Sequence, residues 1–337
     1  MALKIAINGF GRIGRCVTRI ASTRDDIEIV AINDMASKDM MLYLLKYDSV
    51  HGVFDKSVDN SQNNIVKIDG KNVKIFNETN PKDLDFSDLE VDLVLECTGV
   101  FLTKELAQAH LDNGAKKVLL SAPAQDENTP TFVLGVNHTE YNGELIVSNA
   151  SCTTNCLAPV ASILDDAFGI EKGLMTTVHS YTNDQNLLDV KHSGDKRRSR
   201  AAAINMIPTT TGAAKAINLV LPNLTNKLDG TSIRVPTPDV SMVDLTLHVA
   251  KKTTREEVVS LFHTMAETKY KGLLLVDKDK RVSQDFIGSS FSSIVAEDLI
   301  QVIGEDMIGI RAWYDNEWGY SSRLLDMAVY ISKEENK

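Results

Sequence analysis

Short apolar runs alternate with amphipathic stretches through the first 150 residues of the chain. Several of these runs are apolar at almost every position, which is typical of strands buried on both faces of a parallel sheet. Stretches with helical spacing at 12–22 and 103–113 separate them. This alternation predicts a doubly wound α/β domain. Its strands are expected at 3–8, 27–33, 91–97, 117–121, 131–136 and 145–148.

After about residue 150 the spacing of apolar residues changes. Residues 240–249 alternate with period two, so that Val243, Leu245 and Leu247 share one face. Such alternation is typical of an antiparallel strand that packs one face on a core. The second half therefore predicts an α+β domain with a mostly antiparallel sheet and its helices on one side. Further strands are expected at 173–181, 228–235 and 307–314, with helices at 152–168, 254–268 and 318–331.

Length, net charge and residue composition limit the classes of protein to which the chain could belong. The chain has 337 residues, which favours two domains, and no low-complexity linker separates them. Its formal net charge of −10 makes it a poor general binder of nucleic acid. No apolar stretch approaches the roughly 18–20 residues of a membrane span, and we expect neither a membrane partner nor a secretory signal. Four cysteines are too few for a disulfide framework, which favours a reducing, cytoplasmic location.

A glycine-rich motif opens the first predicted helix. Gly9, Gly11 and Gly14 match the pattern G-x-G-x-x-G directly after a strand, and Asp34 follows twenty residues after Gly14. Glycines at these positions allow a tight turn, a close approach of backbone N–H groups to a pyrophosphate, and close helix packing. Asp34 would accept hydrogen bonds from ribose hydroxyls and repel a 2′-phosphate, which favours NAD over NADP. A glycine-rich turn without a ligand is the alternative, which this context disfavours.

Two candidate catalytic residues lie in the second half. Cys152 begins a predicted helix, where unpaired N–H groups and the helix dipole favour a thiolate. Cys156 lies one turn later, a spacing that does not readily give disulfide geometry, and two cysteines alone do not make a metal site. His179 ends a predicted strand and is the best-placed candidate base, although a lone histidine is more often structural.

Basic and hydroxyl-bearing residues indicate an anion site. The cluster at 189–200 is rich in lysine and arginine, and 208–214 is a hydroxyl-rich loop that opens a helix. Arg234 is a charge at the end of an apolar strand, where it needs a carboxylate or an anionic ligand. A phosphorylated substrate would explain all three, while a solvated face or a subunit contact would explain the basic cluster equally well.

The motifs taken together resemble the glyceraldehyde-3-phosphate dehydrogenase family. The most specific of them is Ala-Ser-Cys-Thr-Thr-Asn-Cys at 150–156, and the resemblance runs from residue 2 to about residue 332. The motifs that carry it are 8–15, 150–157, 179–184, 208–214, 234–238 and 313–320. The resemblance implies a Rossmann-type NAD-binding domain at 1–150, completed by a C-terminal helix at 318–337, and a catalytic domain at 151–317.

The same resemblance implies a reaction. D-glyceraldehyde 3-phosphate is oxidised and phosphorylated to 1,3-bisphosphoglycerate with NAD reduction, a step of glycolysis and gluconeogenesis. The Cys152 thiolate adds to the aldehyde to give a thiohemiacetal, and His179 then takes the hydroxyl proton as hydride leaves. Inorganic phosphate attacks the resulting thioester. A homotetramer is also implied, with a loop at about 182–206 at a subunit interface.

Family positions map onto this sequence motif by motif. The substrate phosphate is assigned Thr182, Arg198 and Arg234. The attacking phosphate is assigned Ser151, Thr153, Thr211 and Gly212, with Arg234 shared. Besides the three glycines, the dinucleotide is assigned Arg12, Ile13, Asp34, Thr98, Gly99 and Ser121, with Asn316 and Tyr320 orienting the nicotinamide.

Some positions leave alternatives open. Met35 and Lys191 differ from the residues common in NAD-specific members, which leaves NADP binding open. An erythrose-4-phosphate dehydrogenase is the nearest alternative enzyme, and an amino-acid semialdehyde dehydrogenase is disfavoured because its substrate lacks a phosphate. A non-catalytic nucleotide-binding sensor or adhesion protein is the alternative of another class, which the presence of both Cys152 and His179 disfavours.

Overall fold

The computed structural model describes residues 2–60 and 63–334, and the chain divides into two compact units. The first comprises the chain to Leu134, then His138–Ala150, and the chain from Ser321. The second comprises Gly135–Asn137 and Ser151–Tyr320. Residues 335–337 of the expected C-terminal helix lie outside the described residues.

The first unit is built on an eight-stranded sheet. Its helices are α1 (Arg12–Ala21), α2 (Lys38–Lys46) and α3 (Lys104–Asp112). Its strands are β1 (Leu3–Asn8), β2 (Ile27–Asn33), β3 (Tyr47–Asp48), β4 (Gly52–Val53), β5 (Val58–Asn60), β6 (Ile65–Ile68), β7 (Lys71–Phe76), β8 (Leu93–Glu96), β9 (Lys117–Leu120) and β10 (Ile146–Ser148). The order across the sheet is β10-β9-β8-β1-β2-β7-β6-β5, and β3 pairs with β4 separately.

The central strands of this sheet are parallel. Strand β1 lies between β2 and β8, and every pairing from β10 to β7 is parallel, whereas β6 and β5 continue the sheet in antiparallel fashion. All residues of β8 and β9 are buried, as expected for strands covered on both faces. The carboxyl ends of β1, β2 and β8 consequently meet at one edge of the sheet, where ligands of such folds bind.

The second unit is built on a mostly antiparallel sheet. Its helices are α4 (Cys152–Phe168), α5 (Ala213–Val220) and α6 (Arg255–Glu267). Its strands are β11 (Ile170–Ser180), β12 (Ile207–Thr210), β13 (Leu228–Val235), β14 (Ser241–Val249), β15 (Leu274–Asp277), β16 (Ser293–Ala296), β17 (Gln301–Ile303) and β18 (Met307–Tyr314). The order is β12-β13-β11-β14-β18-β16-β15, with β17 also on β18, and only β11–β13 and β15–β16 are parallel pairs.

A last helix, α7 (Trp318–Glu334), ends the described chain. Its residues from Ser321 onward belong to the first unit, where Arg24 donates to Asp326 at 2.6 Å. The buried ammonium of Lys117 on β9 donates to the Ile331 carbonyl at 3.0 Å. Among the described residues, no helix is both long enough and apolar enough to cross a bilayer.

The fold class expected from the sequence is confirmed, and most predicted elements lie within one to three residues of their observed ends. The alternation along β14 is also confirmed, since Val243, Leu245 and Leu247 are all buried. The strand predicted at 131–136 is wrong. Only Thr131 forms an isolated bridge there, and Gly135 turns the chain away with a φ of 85°. The buried Phe132 and Val133 are core side chains of an irregular segment.

Helix α1 packs close to the turn that precedes it, and glycine makes this possible. A Cβ atom on Gly14 would lie 2.3 Å from the Gly9 carbonyl oxygen, whereas a Cβ atom on Gly11 would meet nothing within 4 Å. Alanine within a helix is favoured over glycine by about 1 kcal/mol. Overpacking against backbone costs about 1–3 kcal/mol, so the clash at Gly14 outweighs that gain.

We therefore expect Gly14→Ala to lower the melting temperature, measured by circular dichroism, by several degrees. The matched variant Gly11→Ala adds the same methyl group to open space, and its melting temperature should stay within about 1–2 °C of wild type. Equal melting temperatures for the two variants would show that the close packing at Gly14 is not needed.

Candidate active site

Cys152 is the first residue of helix α4, and the local sequence fixes that start. The side chain of Ser151 caps the helix by accepting a hydrogen bond from the Thr154 N–H at 3.0 Å. Ala150, which precedes the cap, is fully buried and has a φ of 55°, a conformation that costs free energy for a residue with a side chain. Strain of this kind persists only where the surroundings fix the backbone, and here it lies two residues before Cys152.

His179 lies near the carboxyl end of β11 and contacts Cys152. The distance from Cys152 Sγ to His179 Nε2 is 3.6 Å. The other ring nitrogen, Nδ1, lies 2.7 Å from the Ser180 carbonyl oxygen, which can only accept. When the proton is on Nδ1 and is donated to that carbonyl, Nε2 can accept a proton from sulfur. The pair thus has the geometry of a nucleophile and its base.

Arg234 joins this pair because of strand pairing. Strands β11 and β13 run parallel, and His179 is opposite Arg234 in their register. The Arg234 Nη1 atom lies 2.8 Å from His179 Nδ1, donates to the Ser180 carbonyl at 3.1 Å and donates to Thr182 Oγ1 at 3.3 Å. A positive charge is thereby held beside the sulfur and the imidazole.

The surroundings shift the titration of both candidate catalytic groups. Burial raises the pKa of the Cys152 thiol, while the positive charge of Arg234 and hydrogen bonds from Thr153 lower it. Burial and the Arg234 charge lower the pKa of His179 to about 3, so the imidazole is neutral near pH 7. The thiolate-favouring effect expected from the helix N-terminus is thus opposed by burial. The neutral imidazole is the group beside the sulfur that can take the thiol proton.

Tyr314 connects the two elements that carry Cys152 and His179. Its hydroxyl lies 2.8 Å from Thr153 Oγ1 on α4 and 2.9 Å from Thr177 Oγ1 on β11. The ring is buried and lies edge-on to the His179 ring, with centroids 6.0 Å apart. Thr177 and Tyr314 were not anticipated from the sequence. The only available signal was period two, which places Thr177 on the same strand face as His179.

The residues expected to bind the substrate phosphate form a second group beside the first. Thr182 Oγ1 donates to a carboxylate oxygen of Asp184, and Arg198 Nη1 donates to the other at 2.9 Å. Arg198 Nε also donates to Thr209 Oγ1 at 2.9 Å. Thr182 therefore contacts Arg234 directly and Arg198 through Asp184. The remaining basic residues of the 189–200 cluster are more exposed, as in the Arg200–Asp189 ion pair.

The residues expected to bind the attacking phosphate are distributed over two helix N-termini. Ser151 and Thr153 are at the start of α4, and their hydroxyls contact Thr154 and Tyr314 respectively. Thr211 and Gly212 precede α5, which packs against α4, and Thr211 Oγ1 accepts from the Ala213 N–H at 3.2 Å. Two helix N-termini in one unit provide N–H groups suited to an anion.

The residues expected to orient the nicotinamide belong to the second unit. Asn316 Oδ1 accepts hydrogen bonds from the buried hydroxyls of Ser180, at 2.8 Å, and Ser241, at 2.7 Å. Because Oδ1 accepts both bonds, the amide nitrogen of Asn316 points away from the two serines. Tyr320 is buried in the first turn of α7.

The glycine-rich loop and Asp34 meet in the first unit at the edge where β1 and β2 end. Gly9 has a φ of 95° and donates to the Asn33 carbonyl at 2.8 Å. Asp34 accepts from the Phe10 N–H at 2.7 Å through Oδ2 and from the Ala36 N–H at 2.8 Å through Oδ1. Each carboxylate oxygen therefore keeps a second lone pair that can accept a hydrogen bond from a ligand. The structure therefore brings together the loop and the carboxylate that were expected to hold the dinucleotide.

Arg12 and Ile13 lie in the first turn of α1, after the N-cap Gly11. The Arg12 guanidinium forms a two-pronged ion pair with Asp48, with Nη2 at 3.1 Å from Oδ1. Burial raises the pKa of Asp48, but hydrogen bonds from Arg12 and the N–H groups of His51 and Val50 outweigh it and lower that pKa to about 2. Asp48 was not anticipated from the sequence, and it fixes the direction of Arg12.

Thr98, Gly99 and Ser121 follow the carboxyl ends of β8 and β9. Thr98 donates its N–H to Glu96 at 2.8 Å, and Gly99 has a φ of 74°. The Ser121 N–H donates to the Glu96 carbonyl at 3.0 Å. These expected cofactor residues therefore lie at the same sheet edge as the glycine-rich loop.

Comparison with known proteins adds independent findings. A family model described as the NAD binding domain of glyceraldehyde 3-phosphate dehydrogenase matches residues 3–104, and one described as the C-terminal domain matches residues 151–316. The chain is 52% identical over 330 residues to the chloroplastic glyceraldehyde-3-phosphate dehydrogenase A of Zea mays, covering 97% of this chain and 81% of that protein. It is 50% identical over 336 residues to the glyceraldehyde-3-phosphate dehydrogenase of Geobacillus stearothermophilus, covering 99% of each.

The four cysteines differ in burial, and this predicts selective alkylation. Burial raises the pKa of Cys97 to about 12 and that of Cys156 still further, and Cys16 is 1% exposed. Cys152 is partly exposed beside a neutral imidazole and a guanidinium. Iodoacetamide at pH 8 should therefore label Cys152 at least tenfold faster than the others, measured by peptide mass spectrometry. Comparable labelling of Cys97, the other partly exposed cysteine, would contradict this prediction.

Proposed function

Since this chain belongs to the glyceraldehyde-3-phosphate dehydrogenase family, we propose that it oxidises D-glyceraldehyde 3-phosphate to 1,3-bisphosphoglycerate with NAD and inorganic phosphate. The reaction is the oxidative step of glycolysis, and its reverse serves gluconeogenesis. The observation that carries the proposal is the 3.6 Å contact between Cys152 Sγ and His179 Nε2, with Arg234 beside them. We propose further that residues 1–150, together with the C-terminal helix that begins at residue 318, form the NAD-binding domain. Residues 151–317 form the catalytic domain.

The first step joins sulfur to the substrate. Cys152 Sγ attacks the aldehyde carbon, and the thiol proton passes to His179 Nε2 and then to the former carbonyl oxygen, which gives a thiohemiacetal. The neutral imidazole is the form that can take this proton. The developing negative charge on oxygen would be met by the N–H of Cys152, which lies in the first helical turn, and by protonated Nε2.

The second step oxidises the bound intermediate. NAD, when bound, supplies the hydride acceptor. His179 Nε2 takes the hydroxyl proton of the thiohemiacetal while the carbon loses hydride, so that a thioester to Cys152 remains. A thioester keeps the free energy of oxidation that direct hydrolysis would release. Inorganic phosphate then attacks its carbonyl carbon, Sγ leaves, and the product is an acyl phosphate.

Two anion positions serve this sequence. We assign the substrate phosphate to Thr182, Arg198 and Arg234, because these side chains form one connected group around Asp184. The attacking phosphate is assigned to Ser151, Thr153, Thr211 and Gly212, with Arg234 shared between the positions. Guanidinium groups suit this role because their planar donors match phosphate oxygens. When a phosphate binds, it would replace Asp184 as a partner of Arg198.

NAD is assigned to the sheet edge of the first unit. Gly11 leaves open space for the close approach of the pyrophosphate to the N-terminus of α1, while Gly9 and Gly14 allow the loop to pack against the Thr98 turn and against α1. The side-chain oxygens of Asp34 suit ribose hydroxyls and would repel a 2′-phosphate. Because the mechanism requires a reduced thiol at Cys152, we propose a cytoplasmic location, in keeping with four cysteines that form no disulfide with one another.

We also propose that the chain forms a homotetramer. The segment expected at a subunit interface carries large apolar side chains that are strongly exposed in the single chain, which favours burial against another copy. Their exposed fractions are 80% for Leu187, 75% for Leu188, 53% for Val190, 80% for Ile204 and 74% for Met206.

Activity assays test the proposed reaction. Purified protein with glyceraldehyde 3-phosphate and NAD should produce NADH, read at 340 nm, at a rate that depends on added phosphate or arsenate. Cys152→Ala should abolish turnover, and His179→Gln should lower kcat by about 10²–10⁴-fold because general acid-base catalysis is lost. His263→Gln alters a histidine paired with Glu297 away from the site and is the matched control. Turnover by Cys152→Ala would overturn the mechanism.

Light scattering after size exclusion tests the homotetramer. Leu188→Glu places a charge in the proposed interface and should shift the mass from four chains toward fewer. Leu145→Glu makes the same change at an exposed leucine of the first unit, 52% exposed, and should leave the mass unchanged. A monomeric wild-type protein, or equal behaviour of the two variants, would contradict this surface as the interface.

A further inference from the structure

Three polar side chains lie side by side where the central strands of the first sheet end. Asn8 of β1 is paired in register with Asn33 of β2 and with Glu96 of β8. Their exposed fractions are 2%, 7% and 0%, so the row is buried. The chain continues from these residues into the glycine-rich loop, into Asp34 and into the Thr98–Gly99 turn. One buried row therefore underlies three of the segments of this edge to which we assign NAD.

Glu96 sets the direction of the hydrogen bonds along the row. Its Oε2 accepts from Asn8 Nδ2 at 2.6 Å, so that Asn8 Oδ1 faces Asn33 and accepts from its Nδ2 at 2.7 Å. Asn33 Oδ1 in turn accepts from the Glu78 N–H at 2.9 Å. A carboxylate can only accept hydrogen bonds, and an amide has one donating and one accepting end. The charge at position 96 thereby fixes the orientation of both asparagines.

The same carboxylate holds the turn that follows β8. Glu96 Oε1 accepts from the Thr98 N–H at 2.8 Å and from the Thr98 hydroxyl. The Thr98 hydroxyl oxygen accepts from the Val100 N–H at 3.1 Å, which leaves its proton for Glu96. A Cβ atom on Gly9 would lie 2.7 Å from Thr98 N, so the glycine-rich loop packs directly against this turn. The position of the turn thus constrains the position of the loop.

His110 completes the surroundings of Glu96. Its Nε2 lies 3.0 Å from Glu96 Oε2, and the His110 side chain is fully buried on α3. Within residues 2–60 and 63–334, no lysine or arginine forms an ion pair with Glu96, so Asn8, Thr98 and His110 provide its hydrogen bonds. A buried carboxylate costs free energy unless donors compensate it, and an apolar residue would be less costly for stability alone.

We propose that Glu96 is a positioning residue for NAD binding, which acts through Asn8 and Thr98, and that His110 supports it as a hydrogen-bond donor. The inference rests on the proposed NAD site. Glu96 does not itself contact the dinucleotide in this assignment. It holds the glycine-rich loop and the Thr98 turn in the arrangement that the pyrophosphate and ribose require, so that less ordering is needed on binding.

Calorimetric titration with NAD, together with steady-state kinetics, tests the proposal. Glu96→Gln keeps the shape of the side chain but adds a donor among the four donor groups of Asn8, Thr98 and His110, and we expect the Kd and KM for NAD to rise at least tenfold. The kcat at saturating NAD should stay within threefold of wild type. A purely structural role would instead lower kcat per chain by reducing the folded fraction, with the Kd of the remainder unchanged. Glu140→Gln, an exposed change in the same unit, is the control.

A second pair of variants keeps the test decisive if Glu96→Gln does not fold. His110→Leu removes the donor to Glu96 and should raise the Kd for NAD about fivefold. His110→Gln retains an N–H donor and should restore a value within twofold of wild type. Equal Kd values for His110→Leu and His110→Gln, or wild-type affinity in a folded Glu96→Gln protein, would overturn the inference. A wild-type protein that binds no NAD would instead refute the proposed function.

Discussion

The chemistry of this protein depends on one contact between two elements of the second unit. Cys152 Sγ reaches His179 Nε2 at 3.6 Å because α4 begins at residue 152 and β11 ends one residue after 179. The helix start is fixed by the Ser151 cap and the strained Ala150, and the strand end is fixed by register with β13. The site is therefore a consequence of where regular structure starts and stops, in keeping with the sharp turns that often carry nucleophiles.

Electrostatics give this contact its direction. Arg234 is held beside His179 by strand pairing, so its charge disfavours a protonated imidazole and favours an ionised sulfur at the same time. Burial acts against both charged forms. Both effects keep the imidazole neutral, which is the form with a nitrogen free to take a proton, while the charge of Arg234 remains available to an anion. A single guanidinium can thus serve the base, the nucleophile and a phosphate group.

The sequence predicts those features that depend on residues close together in the chain. The glycine-rich loop, Asp34 and the start of α4 are marked by spacing within a few tens of residues, and the period of apolar residues indicated the two kinds of sheet. Such patterns do not predict contacts between residues that are far apart in the sequence. Tyr314 meets Thr177 across 137 residues of chain, and Asn8 meets Glu96 across 88. These depend on strand register, which one sequence does not specify.

The buried Tyr314 hydroxyl has a consequence for how the catalytic unit tolerates thermal fluctuation. It bridges the first turn of α4 and the end of β11, so a displacement of the helix is transmitted to the strand by the same oxygen. Sulfur and imidazole would then drift as a pair, and their separation would vary less than the position of either. Substitutions at 153 and 177 should accordingly be linked to those at 314, since loss of the Tyr314 hydroxyl leaves both threonines without their common partner.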